Sequence, residues 1–313
     1  MKQPQAIFLL GPTASGKTAL AMHLADLFPV EIISVDSALV YRDMNIGTAK
    51  PDGKVLQRYP HHLIDLIDPT QSYSAAQFCK DALLAMAQIY ARGKIPLLTG
   101  GTMLYVKALL EGLSDLPEGD EGVRRVLVAR AALIGWPAMH VELARVDPLT
   151  ASRLKPTDAQ RIQRALEVFE LTGSKISALQ TRSASQHRFP YSALKIGLIA
   201  GERAMLHERI ASRFDAMLET GLVNEVVSLR ERYSLKAELP SMRCVGYRQT
   251  WQYLEGEIDR DKLRETGVIA TRQLAKRQLT WLRSMSDFLP VDCLRTDLQA
   301  NVAAQVVQFF DEH

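Results

Sequence analysis

The chain has 313 residues, 47% of them hydrophobic, enough for one large or two smaller packed domains and too much for a disordered or fibrous protein. A formal charge of +3 is too small to imply a polyanionic partner by itself, so the placement of the cations has to decide that question. Cys79, Cys244 and Cys293 are odd in number, far apart and outside any C-x-x-C spacing, which excludes a disulfide framework or a cysteine zinc site and fits a reducing cytoplasm.

Ala6 to Leu10 reads as a short buried strand. It runs into Gly11-Pro12-Thr13-Ala14-Ser15-Gly16-Lys17-Thr18, which matches the phosphate-binding loop G-x-x-x-x-G-K-[ST] at every fixed position. The glycines let successive N–H groups turn inward at a helix N-terminus as an anion nest. Lys17 is placed to neutralise the outer phosphate, and the Thr18 hydroxyl to bind Mg²⁺. The loop specifies a di- or triphosphate and leaves open what carries it.

A helix is expected over Gly16 to Phe28, then a strand, Glu31 to Val35, delivering Asp36 where open α/β sheets bind ligands. Position alone leaves Asp36 either a functional carboxylate or a turn or capping aspartate. Tyr41 to Asp52, with Gly53, reads as loop, and His61 to Ile67 as a third strand whose adjacent His61 and His62 face opposite sides and share no metal. Ser74 to Arg92 is a helix with a Ser74/Gln77 capping box and a Gly93 stop. Ile95 to Thr99 is another strand, running into Gly100-Gly101-Thr102, a second cradle before a helix through Leu110.

From Ser114 to Arg188 the alternation gives way to helical segments broken at Pro137, Pro148 and Pro156. Val123 to Arg188 holds eleven Lys or Arg against five Asp or Glu, which marks a basic insertion. Gln160 and Arg164 share one helical face with Arg161 beside them, above a buried side that includes Ile162; solvated helix charges account for the same pattern. Leu194 to Ile199 returns to the sheet. A helix over Arg203 to Thr220, ended by Gly221, carries Arg209 and Arg213. Pro240 to Arg248 reads as a polar, aromatic and basic loop around Gly246. Leu263 to Arg283 is a long helix bearing Arg272, Lys276 and Arg283 on one face, and a strand near Phe288 to Val291 and a helix over Leu298 to Phe310 close the chain. The N-terminal apolar run is too short for a signal peptide, and no stretch reaches the roughly 18 apolar residues of a membrane span.

The expected fold is α/β: a P-loop NTPase-like parallel sheet flanked by helices, with residues 1–113 and 190–313 as the core domain and 114–189 as a mostly helical, basic insertion. Phosphate loops serve kinases, NTPases and GTPases, but no guanine-reading N-K-x-D motif is present. A small-molecule kinase leaves the clustered cations unexplained.

Seven blocks together resemble the tRNA dimethylallyltransferase family (isopentenyl-tRNA transferase, bacterial form). They are GPTASGKT at Gly11 to Thr18, SVDSALVY at Ser34 to Tyr41, IGTAKP at Ile46 to Pro51, GGTMLY at Gly100 to Tyr105, DAQRIQRALE at Asp158 to Glu167, MRCVGYRQ at Met242 to Gln249, and TRQLAKRQLTW at Thr271 to Trp281. Leu39 departs from the family, many of whose members carry glutamine there.

The resemblance implies transfer of a dimethylallyl group from dimethylallyl diphosphate to the exocyclic amine of the adenine 3′ of the anticodon, in tRNAs reading codons that begin with U. It implies Asp36 as base and Thr102 as a second contact to the amine. The diphosphate falls to Gly11 through Thr18 with Arg213, and Mg²⁺ to Thr18. The anticodon stem-loop falls to Asp36, Ser37, Ala38, Leu39 and Thr102, to Arg124, Gln160, Arg161, Ile162, Gln163 and Arg164, and to Arg243, Cys244, Val245, Gly246, Tyr247 and Arg248, with Arg272 and Lys276. The target adenine is expected to flip out of its loop. A cytoplasmic monomer with no membrane partner is the expected setting.

Overall fold

The first apolar run forms β1 (Gln5–Leu10), whose last five residues are buried, and a glycine-bounded loop carries it into α1 (Lys17–Leu27). The structure is a computed structural model and describes residues 3–113, 116–183, 189–285 and 287–312. The expected insertion therefore reaches, at 114–115 and 184–188, outside the described residues.

β2 (Val30–Val35) follows α1. The stretch expected to be loop ends at Asp52, which caps a short helix that was not anticipated, α2 (Gly53–Arg58), accepting the Val55 N–H at 2.9 Å. The strand expected from His61 to Ile67 shrinks to β3 (His61–His62). Leu63 and Asp65 adopt φ of 64° and 55°, left-handed angles that break a strand, and Ile67 keeps only an isolated bridge to Tyr41. α3 (Ala75–Ala91) carries the expected capping box, with Ser74 Oγ accepting from Gln77 N and Gln77 Oε1 from Ser74 N. β4 (Ile95–Gly100) and α4 (Met103–Glu111) come next.

Five helices follow: α5 (Glu121–Ile134), α6 (Trp136–Val146), α7 (Pro148–Ala151), α8 (Ala159–Thr172) and α9 (Ile176–Ser183). Pro137 and Pro148 stand in the first turns of α6 and α7, where a missing N–H costs nothing, so they start helices as well as end the preceding ones. β5 (Ser192–Ile199) and α10 (Arg203–Thr220) match expectation. α11 (Leu222–Arg232) and α12 (Tyr247–Leu254) were not anticipated; α12 takes Tyr247 and Arg248 out of the expected loop. α13 (Arg260–Arg283), β6 (Leu289–Asp292) and α14 (Leu298–Glu312) complete the chain.

The strands form one parallel sheet in the order β3-β2-β4-β1-β5-β6. Leu10 and Val35 both pair with Gly100, so the loops that begin at Gly11, Asp36 and Gly101 leave the C-terminal edge of the sheet side by side. That edge is where a parallel α/β sheet presents its ligand site.

The chain divides into two compact units, Met1–Val106 with Pro190–His313, and Lys107–Phe189. In the first, Ile7, Leu9, Ile32, Leu97, Ile196 and Leu198 from the sheet pack against Leu20, Leu24, Ile210 and Phe214. The second has its own core around Leu127, Leu143, Ile162 and Val168.

Candidate active site

The phosphate loop is wound by two left-handed residues, Ala14 at φ 63° and Gly16 at φ 81°. Alternation of this kind turns consecutive N–H groups to one side. Gly16 tolerates the angle freely, whereas Ala14 pays about 1–2 kcal/mol for it. No side chain caps α1, so its first-turn N–H groups point at whatever anion the loop holds. Lys17 Nζ donates to the Pro12 carbonyl at 3.0 Å, folding the ammonium back over the loop. Loss of hydration pushes its pKa down to about 8; Asp36 opposes that shift and Arg213 adds to it. Burial likewise lowers the Arg213 pKa, against the pull of Asp36.

Asp36 closes β2 and accepts the Ala38 N–H on Oδ1 at 2.8 Å. It is thus a turn aspartate, with Oδ2 left over for other work. Thr102 faces it: Thr102 Oγ1 accepts the Ser37 N–H at 3.0 Å and donates toward Ser37 Oγ at 3.3 Å. The backbone N–H groups of Gly101 and Thr102 both donate to the Val35 carbonyl, at 3.2 and 3.1 Å, which locks the two loops together. Cys244 is nearby, its thiol pushed up to about 12 by burial and by Asp36, so it is no nucleophile at neutral pH.

These groups line a cavity of about 560 Å³. Thr13, Lys17, Thr18, Asp36, Ser37, Ala38, Leu39, Thr102, Arg213, Arg243, Cys244 and Val245 are all on its wall. Arg277, Gln278, Trp281, Phe214 and Met217 are there too, and sequence reasoning missed them. On α13 the cavity face runs through Thr271, Leu274, Gln278 and Trp281, a helical stripe that the cation-based choice of Arg272 and Lys276 overlooked; those two are exposed and do not line it.

Two expected side-chain contacts to RNA need correction. The Tyr247 ring is wholly buried and its hydroxyl donates to Glu225, so it offers no stacking surface. The Ile162 side chain is fully buried in the helical unit's core. In that unit Gln160 and Arg161 are exposed. Arg164 reaches Glu167 and the Pro117 carbonyl at 2.7 and 2.6 Å, and Arg124 reaches the same carboxylate at 2.8 Å. Gln163 Nε2 donates to the Arg124 carbonyl at 3.4 Å. Gly246 sits at φ 92° just ahead of α12, and Arg248 is exposed.

Among the described residues no cluster of three or more His, Cys, Asp or Glu could hold a metal alone. The cavity floor does carry orphaned buried hydroxyls, Ser34 Oγ and Thr99 Oγ1, on neighbouring strands in register. His61 turns toward this cavity while His62 Nε2 meets Glu31 at 2.8 Å, which separates the two rings as expected.

A family model described as IPP transferase matches residues 39–285. A tRNA dimethylallyltransferase from Thiobacillus denitrificans (strain ATCC 25259 / T1) is 58% identical over 303 residues, covering 97% of this chain and 96% of that protein. One from Nitrosospira multiformis is 59% identical over 299 residues, covering 96% and 92%. Among solved structures, the full-length tRNA isopentenylpyrophosphate transferase of Bacillus halodurans aligns with a TM-score of 0.72 at 34% identity, covering 99% and 98% of the two chains. A eukaryotic dimethylallyltransferase acting on tRNA aligns at 0.83 with 26% identity, covering 99% of this chain and 80% of that one.

Proposed function

This chain belongs to the IPP transferase family, and we infer from that premise that it is an enzyme placing a dimethylallyl group on tRNA. In the finer reading the donor is dimethylallyl diphosphate. The acceptor is the exocyclic amine of the adenine 3′ of the anticodon, in tRNAs reading codons that begin with U, and the products are N6-(dimethylallyl)adenosine and diphosphate. The observation that carries the reading is the meeting in one cavity of phosphate-loop residues Lys17 and Thr18 with Asp36 and Thr102.

An adenine amine is a weak nucleophile because its lone pair is delocalised into the ring, so the electrophile must be strong. An allylic carbon bonded to diphosphate answers that need, since charge developing at the carbon is shared along the allyl system. The loop N–H groups, Lys17 and Arg213 stabilise the negative charge that grows on the leaving oxygen. As the carbon–oxygen bond breaks and the carbon–nitrogen bond forms, Asp36 takes the displaced amine proton, a task worth about 10² to 10⁴ in rate. Thr102 holds the amine from the other side. Ile210, Phe214, Met217 and Leu274 supply apolar wall for the five-carbon group and keep water from the cation.

Mg²⁺ fits this donor set: the Thr18 hydroxyl would bind it, and the orphaned Ser34 and Thr99 hydroxyls suit the water that the ion retains. When bound, it supplies positive charge to the leaving diphosphate. Exposed Gln160, Arg161, Arg243, Arg248, Arg272 and Lys276 are assigned to the anticodon stem-loop, with residues 114–189 as the RNA-binding insertion. We assign the enzyme to the cytoplasm as a monomer. Its three cysteines are free, and among the described residues no single helix is long and apolar enough to cross a membrane. Purified protein incubated with Mg²⁺, dimethylallyl diphosphate and unmodified tRNA yields prenylated adenosine by nucleoside mass spectrometry; well-folded protein giving none refutes the reading.

A further inference from the structure

Gln278 of α13 joins two loops that lie far apart in the chain. Its Oε1 accepts the Thr13 N–H at 2.9 Å, and its Nε2 donates to the Gly101 carbonyl at 3.0 Å. Thr13 belongs to the diphosphate loop. Gly101 immediately precedes Thr102, whose hydroxyl is tied to the turn at Asp36 through Ser37. A Cβ at Gly101 would collide with the Gln278 amide, so glycine at this position is what admits the side chain. Where the diphosphate loop leaves the sheet, the backbone bond from Gly11 N–H to the Gly100 carbonyl of β4 is long at 3.3 Å, which leaves the Gln278 amide as the better tie. A primary amide carries a donor and an acceptor at fixed spacing, and no aliphatic or carboxylate side chain provides that pair.

We propose that Gln278 is a positioning residue that sets the separation between the diphosphate cradle and the acceptor loop, and with it the approach of the amine nitrogen to the allylic carbon. The proposal rests on the prenyl-transfer reading above. Displacement of about 1 Å between reacting groups is enough to cost about a hundredfold in rate, so a side chain whose task is to fix the spacing of two loops can govern turnover.

The test compares wild type with Gln278→Leu, Gln278→Glu and Gly101→Ala. Leu removes both bonds; Glu keeps an acceptor for Thr13 but sets an anion against the Gly101 carbonyl; Ala at 101 expels the amide without altering it. All three are expected to lower kcat about 10- to 100-fold, while the Kd values for inorganic diphosphate with Mg²⁺ and for an unmodified anticodon stem-loop change by less than about threefold. The ratio of diphosphate released to adenosine prenylated is expected to rise. In the uncoupled event the allylic carbon–oxygen bond breaks, water adds to the carbon and loses a proton, and dimethylallyl alcohol leaves with the diphosphate. Wild-type kcat in Gln278→Leu and Gly101→Ala overturns the proposal, as does a loss that appears wholly as weaker binding of one substrate or as a lowered Tm. Wild-type protein that fails to prenylate tRNA refutes the underlying reading instead.

Discussion

Tyr247 donates its hydroxyl proton to Glu225 Oε1 at 2.5 Å, and the same carboxylate accepts the N–H groups of Asn45, Ile46 and Gly47 at 2.9, 2.6 and 3.1 Å. One side chain from α11 thus holds the 45–47 turn, whose Gly47 and Thr48 line the cavity. Tyr247→Phe removes one of these bonds and is expected to cost about 1 kcal/mol; Glu225→Ala strands four donors and is expected to cost about 3 kcal/mol. Urea unfolding checks this as a shift of midpoint at constant slope. Equal losses in the two variants would show that the carboxylate is not the organising group.

Much of this architecture is legible in the sequence because local chemistry dictates it. The phosphate loop, the Ser74/Gln77 box and the Gly221 stop each depend on residues within a few positions of one another. What stayed hidden depends on partners far along the chain. Tyr247 sits in a run that is polar, aromatic and basic, and what makes it core is its place in the cluster with Phe214 and Leu222 and its pairing with Glu225, 22 residues away. Gln278 finds its partners 265 and 177 residues away, a relationship no periodicity encodes. The expected third strand failed for a subtler reason, since one of its two left-handed angles arises at Leu63, a residue type that seldom adopts them, and the other at Asp65, which adopts them more readily.

Asp36 has two jobs that substitution can separate. Its Oδ1 accepts the Ala38 N–H, which an asparagine oxygen also does, but an amide cannot take up the amine proton. Asp36→Asn is therefore expected to keep the turn and tRNA affinity while losing about 10² to 10⁴ in transfer rate. Asp36→Ala is expected to lose the same rate and the turn as well. Filter binding and single-turnover prenylation measure the two effects; near-wild-type turnover in Asp36→Asn would remove Asp36 from the proton transfer.

In the helical unit, the buried Glu167 carboxylate accepts from Arg124, Arg164 and the Asp120 N–H. Burial alone would raise its pKa, and these donors more than reverse that, leaving it below the usual 4.5. The sign follows: the stabilisation is complete above about 4.5 and fades as pH falls through the lower folded value. Glu167→Gln is expected to flatten that acid dependence in hydrogen exchange of α5 and α8, and to cost about 2 to 3 kcal/mol at neutral pH. That is less than a fully buried pair because the Arg124 side chain is 48% exposed. Arg164→Ala should act mainly on this stability, whereas exposed Arg161→Ala should leave it intact and reduce the salt slope of tRNA binding by about 0.7 to 0.9. A stable Arg164→Ala unit with a reduced salt slope would reverse the assignment.

Lys17 makes diphosphate binding pH-dependent in a direction the cavity fixes. Its pKa is pushed down to about 8 in the free protein, chiefly by lost hydration, and an adjacent diphosphate favours the charged form and so raises it again. Below pH 8 the ammonium is already protonated before binding, and this residue contributes no slope. Above about 8 a proton must be taken up with the ligand, so affinity is expected to fall by up to about tenfold per pH unit. Ionisation of diphosphate itself adds a slope of its own, which Lys17→Arg shares, because a guanidinium stays charged throughout the range. The difference between the two proteins isolates the lysine. Titration calorimetry from pH 6.5 to 9.5, in buffers of different ionisation enthalpy, reads both affinity and proton uptake. Wild type is expected to take up a fraction of a proton above pH 8 that the arginine variant does not; superimposable curves would place the Lys17 charge away from the bound diphosphate.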